Sequence, residues 1–131
     1  MGHRHQEKKG QWNLELKDGM DGSDINPQLT FLDSSDEVLD VEFLEFGVDK
    51  KFSRGIPVKM VTTADGKQIP VTTVYDIMMG QFGVSRGLKG DYPTSYDDME
   101  GSYTPAWQER FSGIGKDTVI RFARDWANTA T

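Results

Sequence analysis

The 131-residue chain contains no cysteine, so disulfides, thiolate metal sites and cysteine-held iron–sulfur clusters are excluded within it. Histidine is nearly absent too: His3 and His5 are the whole set, two apart in a polar opening stretch. A zinc site needs three or four convergent ligands with a supporting shell, so no metal site is expected there. Long apolar runs are missing: none approaches the ~20 residues of a membrane helix, and the start has no signal-peptide core. Nucleophile motifs are missing as well. There is no G-x-S-x-G elbow, and no histidine stands near Ser95, Ser102 or Ser112, which argues against a hydrolase triad. Positive charge is in the minority, 15 Lys and Arg against 21 Asp and Glu, for a net charge of -6. Nucleic-acid binders need a basic face, so nucleic acid is not an expected partner, and an anionic membrane surface would repel this chain on average.

What is present suits one modest core. A chain of this length buries roughly two-thirds of its unfolded surface. Hydrophobic residues make up 36%, mean hydropathy is -0.59 and there are 14 glycines, which predicts loops and incompletely covered elements. Trp12, Leu14 and Leu16 alternate with polar residues as a short strand does, and Asp18-Gly19 and Asp21-Gly22 punctuate a turn region. Residues 28–33 read as a second short strand, 34–40 as an exposed acidic stretch, 41–47 as an aromatic strand, and 48–56 as a loop holding Lys50, Lys51, Arg54 and Gly55. A hairpin follows: 58–62 and 68–72, joined around Asp65-Gly66, the pair that best tolerates left-handed backbone at both turn positions. Pro70 lacks an N–H and places its strand at an edge.

A helix is predicted over 73–82, with Thr73 as N-cap, Asp76 completing an approximate capping box and Gly83 as the stop. Val74, Ile77 and Met78 on one face, with Tyr75, Met79 and Phe82 on the adjoining one, make it apolar over most of its girth, so it should be well buried. Residues 84–103 hold many turn formers and read as a long loop, of a length that is unusual unless it does something or leans on something. Thr104-Pro105 opens the next helix, with a hydroxyl N-cap and proline in its first turn, and Gly113 closes it. A last helix starts near Lys116, and Val119, Ile120, Ala123, Trp126, Ala127 and Ala130 keep its period to the end without a stop signal, as if the chain had been cut there. Strands first and helices second predict an α+β fold: short antiparallel strands and a hairpin followed by three helices. The chain is expected to be a single domain or a fragment, strand-rich over 1–72 and helical over 73–131.

Constellations that could carry chemistry are few. Asp97-Asp98, Asp36-Glu37 and Asp21 with Asp24 are paired carboxylates, but they sit in glycine- and serine-rich segments that read as wet loops rather than a cleft. Gly83 through Gly90 is glycine-rich and carries Arg86 and Lys89. It lacks the order of a P-loop and follows a helix rather than a strand, and complementing a helix C-terminus explains the two cations equally well. The last two helices, around Gly113-Ile114-Gly115, have the outline of a helix–turn–helix, but a packing helical hairpin suits an acidic chain better. Trp107, Phe111, Phe122 and Trp126 could form a stacking platform; at helical spacing they read as core.

Residues 69–88, from Ile69-Pro70-Val71-Thr72-Thr73-Val74-Tyr75-Asp76 to Arg86-Gly87-Leu88, resemble a stretch of the respiratory nitrate reductase alpha chain. Thr94-Ser95-Tyr96-Asp97-Asp98, then Tyr103-Thr104-Pro105-Ala106-Trp107, and then Gly113 through Ala127 resemble that family's next blocks in order. Gly2, Arg4 and Gly10-Gln11-Trp12-Asn13-Leu14 resemble an upstream element, with His5 where the pattern has tryptophan. The resemblance implies a larger molybdopterin oxidoreductase. Its catalytic subunit carries a bis-molybdopterin guanine dinucleotide molybdenum centre and an iron–sulfur cluster, and reduces nitrate to nitrite with electrons from quinol. It further implies an iron–sulfur beta subunit and a membrane haem subunit as partners, and a place on the cytoplasmic face of the membrane. Neither the cluster ligands nor the molybdenum-ligating aspartate segment falls in this stretch, so no catalytic role is carried onto Asp76, Asp97, Asp98 or Asp125, and no cofactor or metal is expected within the chain. Its expected part is architectural, packed against the rest of the alpha chain, with self-association if it stands alone. The alternative from the residues themselves is a stand-alone acidic protein-interaction module.

Overall fold

The computed structural model describes residues 28–129. Their elements are β1 (Glu37–Leu44), β2 (Lys51–Thr62), β3 (Gln68–Val71), α1 (Val74–Gln81), α2 (Pro105–Ser112) and α3 (Lys116–Thr129). The strands form one antiparallel sheet in the order β1-β2-β3, so the fold is α+β with the sheet first and the helices after it. The expected strand at 12–16 and the turns at 18–23 lie outside the described residues.

The sheet differs from the sequence reading in three places. Residues 28–33 are not a strand; they turn, and Phe31 O accepts from the Ser34 N–H at 3.0 Å. β1 begins at Glu37, inside the stretch expected to be acidic and exposed, and residues 51–56, expected as loop, are the first half of β2. The register supplies the reason. Each residue from Glu37 to Leu44 pairs with one between Val58 and Lys51, and Phe43 meets Phe52 as a stacked pair with centroids 5.8 Å apart. Local polarity at Lys50, Lys51 and Arg54 hid a strand whose partner is supplied by β1.

β2 is central and β3 is an edge, as Pro70 requires. The turn between β2 and β3 departs from expectation in one respect: Gly66 has φ +81° while Asp65 stays on the negative side, so one left-handed residue closes it. The other half of the β2 edge is filled by the long loop. Gly55 N–H donates to Lys89 O at 2.7 Å, Asp91 N–H to Ser53 O at 2.8 Å, and Arg54 bridges Gly90. Gly90 has φ +138°, and a Cβ there would stand 2.6 Å from both Arg54 Cα and Ser53 O. Residues 84–103 thus form no element of their own and lean on the sheet, which accounts for their length.

The core is Phe43, Phe52, Ile56 and Val58, with Leu39, Val41, Met60 and Tyr103 packed around it. α1 lies on β2, and the approach is so close that a Cβ on Gly80 would sit 2.4 Å from Ile56 Cδ1. Thr73 caps α1 as read, its hydroxyl accepting from Asp76 N–H at 3.0 Å. The expectation that α1 is well buried fails: its buried residues are Asp76 and Gly80, while Val74, Ile77 and Met78 are exposed. Gly80 meets the sheet, Asp76 meets residues 30–31 and Arg86, Tyr75 and Met79 are half-buried, and the other apolar residues are left uncovered. α2 keeps its predicted ends, with Thr104 Oγ1 accepting from Trp107 N–H at 2.9 Å and Gly113 left-handed at φ +70°. Among the described residues no helix is long and apolar enough to cross a membrane.

Candidate functional site

Among the described residues three charged side chains are buried: Arg54 and Glu45 tie helix ends and the loop to β2 and the end of β1, and Asp76 ties the loop and residues 30–31 to α1. Arg54, 1% exposed, sits mid-strand on the side of β2 that faces α1. Its Nη1 donates to Gly80 O at 2.6 Å and Gln81 O at 3.0 Å, and its Nε to Asp91 O at 2.8 Å. The guanidinium therefore caps the carbonyl end of α1, where the helix dipole favours a cation, and its face lies 3.9 Å from the Phe52 ring centroid. Burial pushes it below the usual guanidinium value, against the pull of Tyr92, Asp91 and Tyr103. The sequence reading gave this helix-capping role to Arg86 and Lys89; Lys89 is exposed, and Arg86 goes elsewhere.

Asp76, fully buried, is the second. Its carboxylate accepts from Thr30 Oγ1 at 2.5 Å, Phe31 N–H at 2.8 Å, Thr73 Oγ1 at 2.8 Å and Arg86 Nη1 at 2.8 Å. Burial works to raise its pKa, but the bonds from Thr30, Phe31, Arg86 and Thr73 outweigh it and hold the carboxyl below its usual value. Arg86 reaches back from the loop in a left-handed conformation, φ +48°, which a non-glycine residue adopts at a cost. Glycine-rich residues 83–90 therefore present Arg86 to Asp76 rather than to a phosphate.

Glu45, 5% exposed, is the third. It accepts from Ser102 Oγ at 2.6 Å and Trp107 Nε1 at 2.9 Å, and pairs with Lys50 at 3.3 Å. Here too burial pulls the pKa up, and Ser102, Trp107 and Lys50 together bring it below the usual range. Beside it Tyr103, also left-handed at φ +70°, donates its hydroxyl to Leu44 O at 3.2 Å and accepts from Phe46 N–H and Gln81 Nε2, each at 2.8 Å.

Acid–base catalysis needs carboxylates with free lone pairs and a pKa near the working pH. Asp76 and Glu45 have neither: they are ionised and encircled. The remaining sequence candidates are dispersed. Asp98 accepts the Thr94, Glu100 and Gly101 N–H groups of its own turn, Asp97 pairs with Lys116, and Asp36 accepts from Met60 N–H at 2.7 Å. Ser95 and Ser112 make local bonds. His3, His5, Asp21 and Asp24 lie outside the described residues. The cleft beside Arg54, about 360 Å3, is edged by Lys50 and Lys51, but their charges are met by Glu45 and Glu42 at 3.3 Å each. Of the four aromatics read as core, Trp107 is buried, while Phe111, Phe122 and Trp126 are exposed. Arg54 and Glu45 were missed. For Glu45 a signal existed: the strand alternation that buries Phe43 and half-buries Val41 also points residue 45 to the core face.

Comparison with known proteins then gives a consistent answer. The chain is 41% identical over 135 residues to the respiratory nitrate reductase 1 alpha chain of Escherichia coli K12, covering 94% of this chain and 11% of that protein. It is 38% identical over 121 residues to the nitrate reductase alpha chain of Bacillus subtilis, covering 91% of this chain and 10% of the relative. To the nitrate reductase alpha subunit of Mycobacterium tuberculosis it is 36% identical over 93% of its length and 10% of the relative. This chain is homologous to one stretch of the nitrate reductase alpha chains. It spans about a tenth of the length of these relatives. No family model matches it. Within the aligned stretch, two of the blocks that carried the resemblance meet at buried charges: 69–88 through Thr73, Asp76 and Arg86, and 103–107 through Trp107 on Glu45.

Proposed function

We propose that this chain is an architectural stretch of the catalytic alpha subunit of a respiratory nitrate reductase, the subunit that reduces nitrate to nitrite. The observation that carries the proposal is the collinear homology over 94% of the chain to proteins some nine times as long. The buried network supports a structural role, since both buried carboxylates among the described residues are spent on holding elements together: Asp76 joins the loop and Thr30 to α1, and Glu45 joins Ser102 and α2 to the end of β1. On this reading 1–72 and 73–131 are the strand-rich and helical parts of one unit, and no residue of it is catalytic.

A bis-molybdopterin guanine dinucleotide molybdenum centre and an iron–sulfur cluster belong to the parent on this reading, and supply its electron transfer to nitrate. Their ligands come from other parts of the protein. The chain has no cysteine, and among the described residues no three His, Cys, Asp or Glu side chains converge on a metal position. No step of nitrate reduction is therefore assigned to these residues. The parent complex would include an iron–sulfur beta subunit and a membrane haem subunit, with the alpha subunit on the cytoplasmic face.

The test is to express the complete source gene and measure molybdenum and nitrate reduction in the purified product. Molybdenum near one atom per alpha chain with nitrate-dependent turnover is the expected result. A purified, folded, full-length product without molybdenum overturns the proposal in favour of a separate binding module.

A further inference from the structure

The first turns of α3 are joined to the rest of the described chain. Lys116 N–H donates to the Glu109 carboxylate at 3.1 Å, the Lys116 ammonium pairs with Asp97, Gln108 Nε2 donates to Ile114 O at 2.9 Å, and Val119 and Ile120 are half-buried toward α2. From residue 121 to residue 129 every position is exposed. This projecting length, ~13 Å at 1.5 Å per residue, is nonetheless strongly one-sided. Phe122 is 64% and Trp126 70% exposed, their rings meet each other at 6.0 Å, and together with Asp125 and Thr129 they line an open apolar hollow of about 440 Å3. Arg121 and Arg124 are not among its lining residues. Isolated helices of fewer than ~12–15 residues are marginal in water, and a helix of this kind draws its stability from packing its apolar face. A 14-residue helix whose last nine residues are all exposed has most of that stabilisation still to come.

We propose that the Phe122–Trp126 face of α3 is a docking face for an apolar surface of the same polypeptide outside residues 28–129. This rests on the reading of the chain as a stretch of a longer alpha subunit. The length of chain beyond the described residues names the occupant: the matched relatives carry about nine-tenths of their length outside the aligned stretch. α3 then acts as a tether. Its first turns are bolted to α2, its second half inserts two aromatic side chains into a neighbouring part of the subunit, and the described unit is held in place through that joint.

The experiment uses the full-length protein. Phe122→p-benzoylphenylalanine is introduced as a photocrosslinker in a mixture of isotopically light and heavy copies, and hydrogen exchange is followed at residues 121–129 in the unmodified protein. Crosslinks within one copy to positions outside 28–129, with those amides exchanging at least a hundredfold slower than in an unstructured chain, are expected. Crosslinks between light and heavy copies, crosslinks confined to 28–129, or no crosslinks overturn the docking. Should the substitution prevent folding, unprotected amides at 121–129 in the unmodified protein overturn it, and protection that is lost in Trp126→Ser supports it. Molybdenum content in the same preparation reports separately on the parent reading, so failure of the tether and failure of that reading are distinguishable.

Discussion

Asp76 and Arg86 show what a single residue contributes here. The carboxylate receives four hydrogen bonds, and Arg86 has no other carboxylate partner among the described residues. Asp76→Ala strips the pair and leaves a largely buried guanidinium without its counter-charge, so it should cost about 3–5 kcal/mol in a urea melt. Trp107 fills the space between Tyr103 and Phe111 and donates to Glu45. Trp107→Ala should likewise cost about 3–5 kcal/mol. Acid should weaken the protein through Asp76 and Glu45. Both carboxyls lie below their usual values when folded, so their stabilisation is complete above the unfolded-state value of ~4 and is lost as pH falls through the lowered folded-state values. Stability followed by chemical melts from pH 7 downward should hold level to about the ordinary carboxylate range and then decline. Glu45→Gln should shrink that decline; an unchanged pH dependence would remove Glu45 from the account.

At the scale of elements, two close approaches decide the packing. α1 can lie on β2 because residue 80 has no side chain: Gly80→Ala would drive its Cβ into Ile56 and Phe43, so a loss of about 1–3 kcal/mol is expected, read as a lower thermal midpoint. The converse holds for α3. Trp126 is a large aromatic at helical spacing, as Trp107 is, yet Trp126→Ala in this chain should change stability by less than about 0.5 kcal/mol, because the side chain is 70% exposed. Urea melts of the two tryptophan variants side by side would separate the core aromatic from the uncovered one. Equal losses would mean that α3 packs against the body after all.

Taken whole, the molecule has a small core and much uncovered apolar surface: Phe46 at the β1–β2 turn, Val74 and Ile77 on α1, Phe111 on α2, Phe122 and Trp126 on α3. Surfaces of this kind mark interfaces. The chain studied alone should therefore self-associate, eluting ahead of monomer volume in size-exclusion chromatography as concentration rises, and Phe122→Ser with Trp126→Ser should move it back toward monomer. Elution at monomer volume at every concentration would mean that these faces are harmless without their cover.

The sequence by itself determined what rests on a few adjacent residues. It determined both helix starts at Thr73 and Thr104, the stop at Gly113, the edge position of the Pro70 strand, the α+β order and the homology. Capping, proline geometry and glycine turns are local physics, legible wherever the residues stand. Only the tertiary structure decided the rest. Residues 51–56 are a strand because β1 supplies partners some ten residues away, and Arg54 is buried because the carbonyl end of α1 arrives above it. The glycine-rich loop grips Asp76 because residues 28–32 bring Thr30 and Phe31 to the same carboxylate. Which aromatics are core was equally a tertiary matter: helical period shows that a residue shares an apolar face, and only the neighbouring elements determine whether anything covers that face.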